Sequence, residues 1–138
     1  MIEIPILNAL LSDSTLVDLL STFNGAPAIF SENAPETAEK PYAIIRCLRN
    51  SKEYSVIQNF TIFVDTYDFD ESRVNSREAA ERIEFVLDEK IFTSTRYSEI
   101  RVDEQGGGPI PEADPRDVHY NSQFQARAIR CKWITQTH

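Results

Sequence analysis

Hydrophobic positions along this chain change period several times, and each change predicts an element. Between residues 5 and 22, Leu7, Leu10, Leu11, Leu16, Leu19 and Leu20 recur with helix-like spacing, the pattern of an amphipathic helix laid over a sheet. Ser12-Asp13-Ser14 interrupts the run. The segment can therefore divide into two helices, the second capped by Ser14 and carrying Asp18 in its first turn. Residues 23–40 lose the pattern and read as a loop, punctuated by Asn24-Gly25, Pro27 and Pro35 and made acidic by Glu32, Glu36 and Glu39. Loops beyond about 12–15 residues in a compact domain usually serve a function or stay disordered.

Period two takes over after Pro41. Tyr42 to Arg49 predicts an apolar strand, Lys52-Glu53-Tyr54-Ser55 a polar link, and Val56 to Tyr67 a second strand. In that strand Phe60, Ile62 and Val64 share one face, and Thr61, Phe63, Asp65 and Tyr67 the other. Two such strands joined by a short link read as an antiparallel hairpin. The period then returns to that of a helix with its core over 76–90, an earlier start near Ser72 being the alternative. Asn75 and Glu78 fit a capping box, Ala79, Ala80, Ile83, Val86 and Leu87 cluster on one side, and Glu78, Glu81, Glu84, Asp88 and Glu89 lie broadly opposite.

Phe92 to Asp103 predicts a weaker strand, with Ile100 and Val102 in phase with Ser98. Residues 104–117 are rich in Gly, Pro and acid and predict a second loop. Val118 to Ile134 predicts a long last strand in which Phe124, Ala126 and Ala128 keep one phase while Ile129, Cys131 and Trp133 take the other. A β-bulge near Ala128 would account for the change, and a strand with apolar partners on both faces is the alternative. The resulting order, α-β-β-α-β-β, predicts an α+β fold of two layers, a mostly antiparallel sheet packed by two helical elements, with residues 1–138 as one domain.

Composition agrees with a folded chain. The protein has 138 residues, 41% hydrophobic and 26% charged, near globular averages. Its 14 basic and 22 acidic residues leave a net charge of −8, which argues against autonomous binding to nucleic acid or an anionic membrane. No apolar stretch approaches the roughly 18 residues of a membrane span, and Met1-Ile2-Glu3-Ile4-Pro5 lacks the basic start of a signal peptide. Cys47 and Cys131 are too few and too far apart in sequence for a Cys-x-x-Cys site, and read as free thiols of a reducing compartment, one disulfide between the two strands being the alternative.

Catalytic signals are weak. Gly106-Gly107-Gly108 runs into Pro109-Ile110-Pro111 with no Lys and no helix, so it lacks the parts of a phosphate loop. Asp65, Asp68, Asp70 and Glu71 lack the central Gly and terminal Glu of a calcium loop and read as acid near a helix start. His119 has no nucleophile motif beside it and reads as structural or exposed. No catalytic, cofactor or metal residue is expected. Surfaces are more telling. Arg46, Arg49 and Lys52 accompany the first strand, and Arg127, Arg130 and Lys132 the last. Phe85 falls on the acidic face of the second helix, where an exposed aromatic in a polar rim suits a subunit contact. Phe85, Glu81, Arg46, Arg49, Arg127 and Arg130 are thus the candidate interface residues.

Taken in order, these features resemble the tail-completion proteins of long-tailed bacteriophages, also called tail terminators or head–tail joining proteins. The features are the leucine-rich helix, Pro41-Tyr42-Ala43-Ile44-Ile45, the strand from Phe60 to Tyr67, the helix bearing Ala79-Ala80, Ile83, Val86 and Leu87, and the Gly/Pro loop before the strand Tyr120 to Trp133. The resemblance covers nearly the whole chain and is one of pattern. It implies a ring, usually hexameric, at the head-proximal end of the tail tube, built by heterologous contacts between copies. It further implies a virion location after assembly in the host cytoplasm, with the tail tube protein and a neck or connector protein as partners, no membrane, and DNA passing through without specific binding. Phe30, Glu32 and Glu36 in the first loop, and Gly107, Ile110, Glu112 and Asp114 in the second, are the candidates for contacts to tube or neck. This chain departs from the pattern in the acidity of both loops and the length of the second. The alternatives are a neck or head-completion protein bound to the connector, and a small cytosolic enzyme using carboxylates.

Overall fold

The computed structural model describes residues 2–50, 56–69, 73–112 and 117–131. Lys52, Asp70, Glu71, Asp114, Lys132 and Trp133, singled out above, lie outside the described residues. The leucine-rich segment does divide, into α1 (Glu3–Leu11) and α2 (Ser14–Leu19). The cap between them is Asp13 rather than Ser14: its side chain accepts from Leu16 N at 2.9 Å while its backbone stays extended.

The expected first loop holds structure of its own. β1 (Thr22–Phe23) and β2 (Ala26–Pro27) form a minimal hairpin. Asn24 and Gly25 turn it with φ of 52° and 81°, the left-handed pair that favours these two residues. β3 (Ile29–Ser31) then pairs in parallel with β4 (Tyr42–Arg49). Short strands carry too few alternating positions to register as a period.

β4 and β5 (Ile57–Phe69) form the expected antiparallel hairpin. α3 (Arg73–Leu87) takes the earlier of the two starts, so Asn75 lies inside the helix rather than at its cap position, and it ends at Leu87, short of the expected residue 90. β6 (Lys90–Phe92), β7 (Tyr97–Ile110) and β8 (Asp117–Arg130) complete a six-stranded, curled sheet of order β3-β4-β5-β8-β7-β6. The result is α+β, with three helices where two helical elements were expected.

Two expectations for the last third are corrected. Residues 104–110 are strand, not loop: Gly106, Gly107 and Gly108 lie opposite Gln123, Ser122 and Asn121. Glycine and proline hide this strand from a propensity reading, because the partner strand rather than local preference holds it extended. β8 pairs with β5 without interruption from Ile129 to Asp117, so there is no bulge near Ala128. The register shifts sit in β7, between Tyr97 and Glu99 and between Glu104 and Gly106. The first explains why Ser98 is exposed while Tyr97, Ile100 and Val102 are buried. The change of phase in β8 is the two-faced alternative, with Phe124, Ala126 and Ala128 in the core and Ile129 half-buried on the reverse face.

The core lies between one sheet face and the helices. Ala43, Ile45, Phe60, Ile62, Val64, Ile100, Val102 and Phe124 meet Ile6, Leu10, Leu16, Ala79, Ile83 and Leu87 there. The period of α3 holds over its described side chains: Ala79, Ala80, Ile83 and Leu87 are buried, Val86 is half-buried, and Phe85 is 62% exposed, while Asp88 and Glu89 lie beyond the helix end. A polar pair is satisfied within the core rim, where Tyr97 donates its hydroxyl to Gln58 Oε1 at 2.7 Å. No helix among the described residues is long and apolar enough to cross a membrane.

Candidate functional site

With the helices on one face, the other face of the sheet is bare, and its contents follow from register. Four strands set side chains in rows: Tyr42, Tyr67, His119 and Ile110, then Ile44, Asp65, Asn121 and Gly108, then Arg46, Phe63, Gln123 and Gly106. Asp65 is at the centre. It is 5% exposed although it sits on the face away from the core. Its carboxylate is satisfied locally, accepting from Asn121 Nδ2 at 2.9 Å and meeting His119 Nε2 at 2.7 Å, with Arg46 at 3.5 Å. The other ring nitrogen of His119 meets Glu112 Oε1 at 2.7 Å. Ionised carboxylates only accept, so both contacts are hydrogen bonds only when the ring carries both protons. Tyr67 stacks on the imidazole with centroids 4.2 Å apart, and an aromatic row continues through Tyr42 to Phe30 and Phe23. Burial raises the Tyr67 hydroxyl above its ordinary range, and the Asp65 carboxylate adds to this.

The chemistry of this cluster is that of a fastener. Glu112 follows β7, His119 lies in β8 and Asp65 in β5, so one imidazole ties three strands together. Both ring nitrogens of His119 are thereby engaged and its face is covered by Tyr67. Asp65 and Asp68 project to opposite faces of β5, both buried, and cannot converge on one cation. Among the described residues no group of three or more His, Cys, Asp or Glu is arranged to hold a metal ion.

Charge is concentrated in two other places. At the end of the sheet where β4 and β8 finish and β7 begins, Arg49, Arg96, Arg101, Arg127 and Arg130 gather, and Tyr97 lies within electrostatic reach of Arg49, Arg96 and Arg130. Arg101 and Arg127 are direct cross-strand partners, both exposed. On the helix layer, Glu81, Glu84 and Glu104 line a cleft of about 180 Å³ between α3 and the glycines of β7, with Arg77, Tyr120 and Ser122. Partial burial raises Glu84 above the usual carboxylate range, and the charges of Glu104, Asp88 and Glu81 add to this. Phe85 stands on the same ridge with the Arg82 guanidinium 4.4 Å from its ring centroid and Lys90 at 5.5 Å.

The residues singled out from sequence therefore scatter. Glu81 and Phe85 share the acidic ridge, and Arg49, Arg127 and Arg130 share the basic end. Arg46 leaves that set for the Asp65 cluster, and its guanidinium lies 5.3 Å from the Phe63 ring centroid. Phe30 is half-buried in β3, Glu32 and Glu36 are exposed, Gly107 and Ile110 belong to β7, and Glu112 holds His119. Sequence reasoning noticed Asp65 but not its place in this cluster, and it missed Asn121, Arg101 and Arg96. Asp65, Asn121 and Arg101 matter through pairing with strands distant in the chain, which no local pattern carries.

Comparison with known proteins gives structural matches only. No model of a known protein family matches the sequence, and no curated protein does. Among solved structures, a chain of the virion of a native gene transfer agent particle superposes with a TM-score of 0.72 at 12% identity, covering 91% of this chain and 92% of that one. A second solved chain superposes with a TM-score of 0.60 at 14% identity over 89% of this chain and 93% of its own. At this level of identity the likeness establishes a fold shared nearly end to end with a chain of a virion particle.

Proposed function

We propose that this protein is a structural component of a phage-like virion, and that its copies form a ring capping the head-proximal end of the tail tube and joining it to the neck. The observation that carries the reading is the end-to-end fold match to a chain of a gene transfer agent virion. It agrees with the resemblance to tail terminators, a pattern that runs through most of the same elements. The geometry of the polar cluster supports it, since His119 and its carboxylates are spent on holding strands. The ring, in the reading a hexamer, contacts the tail tube protein on one side and the neck or connector on the other. The exposed segment bearing Glu32 and Glu36 and the end of β7 at Ile110 and Glu112 supply those contacts. With a net charge of −8, the ring lets DNA pass without holding it.

Deletion of the gene followed by electron microscopy of the particles is the test. Aberrantly long tails are the expected result. Normal-length tails that fail to join heads would move the protein to the neck. Unaltered particles, with the protein absent from purified virions, would overturn the reading.

A further inference from the structure

The described surface carries two like-charge concentrations of opposite sign on different sides of the molecule. At the basic end, Arg101 and Arg127 face one another across β7 and β8. Neither guanidinium makes a hydrogen bond or ion pair among the described residues, and like charges directly opposite destabilise a strand pair. Arg49, Arg96 and Arg130 stand at the same end. Glu99 and Asp103 flank Arg101 along β7 and temper this field without bonding to either arginine. On the acidic ridge, Glu81, Glu84, Asp88 and Glu104 repel one another, with Arg77 answering only Glu81, at 3.6 Å. Phe85 rises from the ridge, 62% exposed. The isolated subunit thus holds two unfavourable charge arrangements that an opposite charge from outside would relieve.

We propose that copies of this chain join head to tail, the Glu81–Glu84 ridge of α3 in one copy docking on the Arg101–Arg127 pair of the next, with Phe85 in the contact. The occupant is a second copy because the complementary surface is present on the same chain. A polyanion such as DNA is the weaker fit to the arginines, given a net charge of −8. One patch ends the strands and the other crowns the helix layer, so the contact joins unlike surfaces. Repetition of such a contact closes a ring when its rotation permits. The inference rests on the reading above only in taking self-association as the working state.

Charge exchange tests it. One variant carries Arg101→Glu with Arg127→Glu, the other Glu81→Lys with Glu84→Lys, and mass is followed by analytical ultracentrifugation with circular dichroism as the control for folding. Wild type should self-associate, and more weakly as salt rises. Each variant alone should dissociate at least tenfold more readily. An equimolar mixture should recover assembly, because each ridge then meets an opposite charge. Should reversal harm the fold, the neutral pair Arg101→Gln and Arg127→Gln replaces it. That variant should melt higher than wild type yet assemble about tenfold more weakly, opposite movements that a merely structural role would not produce. Wild-type assembly unaffected by either variant, or a mixture of folded variants that stays monomeric, overturns the pairing. So does a DNA-binding signal lost on arginine substitution with assembly unchanged. The tail phenotype on gene deletion is read separately, so the virion reading stands or falls apart from this contact.

Discussion

At Asp13 two jobs fall to one side chain. It caps α2 through Leu16 N, and both its oxygens take hydrogen bonds from the Arg82 guanidinium of α3, at 2.8–3.1 Å. That pairing, more than the backbone bonds, holds its carboxyl below the ordinary value of 3.8. Asp13→Ala should cost about 1 kcal/mol from the lost cap alone, and more through the stranded arginine, measured by urea denaturation. The pH dependence has a definite sign. A carboxyl depressed in the folded state adds stability that is complete above its unfolded value and is lost as pH falls through the folded one. Asp13→Ala should therefore flatten the acid limb of a melting-temperature profile below about pH 4. Glu84 acts in the opposite sense. Raised above 4.5, it makes the folded chain hold its proton more tightly, so stability declines as pH rises through that range. Glu84→Gln should stabilise the fold at neutral pH by no more than about 0.5 kcal/mol for so exposed a group, read as a small rise in melting temperature. Gly107 is fixed by space: with φ at 155°, a Cβ would run into the Asn121 carbonyl and lie 2.9 Å from Ser122 Cα. Gly107→Ala should cost about 2–3 kcal/mol and loosen the β7–β8 pairing, seen as faster amide exchange there. Cys47, pushed up to about 12 by burial, should resist alkylation near neutral pH until the protein is unfolded, as mass spectrometry of the labelled peptides would show.

Elements were legible in proportion to their length and the regularity of their period. α3 was legible from Arg77 to Leu87, where one buried side and one acidic side recur. The split of the first helix and the β4–β5 hairpin were equally open, and so was the alternation of β5. The short strands β1, β2, β3 and β6, of two or three residues each, offer no period, and the glycine-rich half of β7 offers a misleading one. The site was less legible than the fold. That Asp65 faces away from the core follows from parity. That it is buried there follows only from the meeting of β5 with β8, 56 residues further along at Asn121. The cluster predicts its own weak point: His119→Ala removes a partner from two carboxylates, one of them buried, and should cost about 1–3 kcal/mol. His119→Gln, which can still donate to Asp65, should recover part of that loss.

For the whole molecule, the separation of charge matters more than its sum. A net of −8 describes a uniformly acidic particle, whereas the structure sets arginines at one end of the sheet and carboxylates on the helix ridge. The aromatic row from Phe23 to His119 and the ties around Asp65 stiffen the bare sheet face between them. The strand order carries one more consequence. β8, the last in sequence of the strands among the described residues, lies between β5 and β7 rather than at an edge. During translation the ribosome releases β4, β5, α3 and β7 before the strand that unites them, so the sheet cannot close until β8 has emerged. Pairings between strands so distant in sequence also close slowly. A chain cut short before residue 117 would lack the middle of its sheet and present no assembled arginine end. Truncated products would thus be excluded from any larger structure by their own failure to fold.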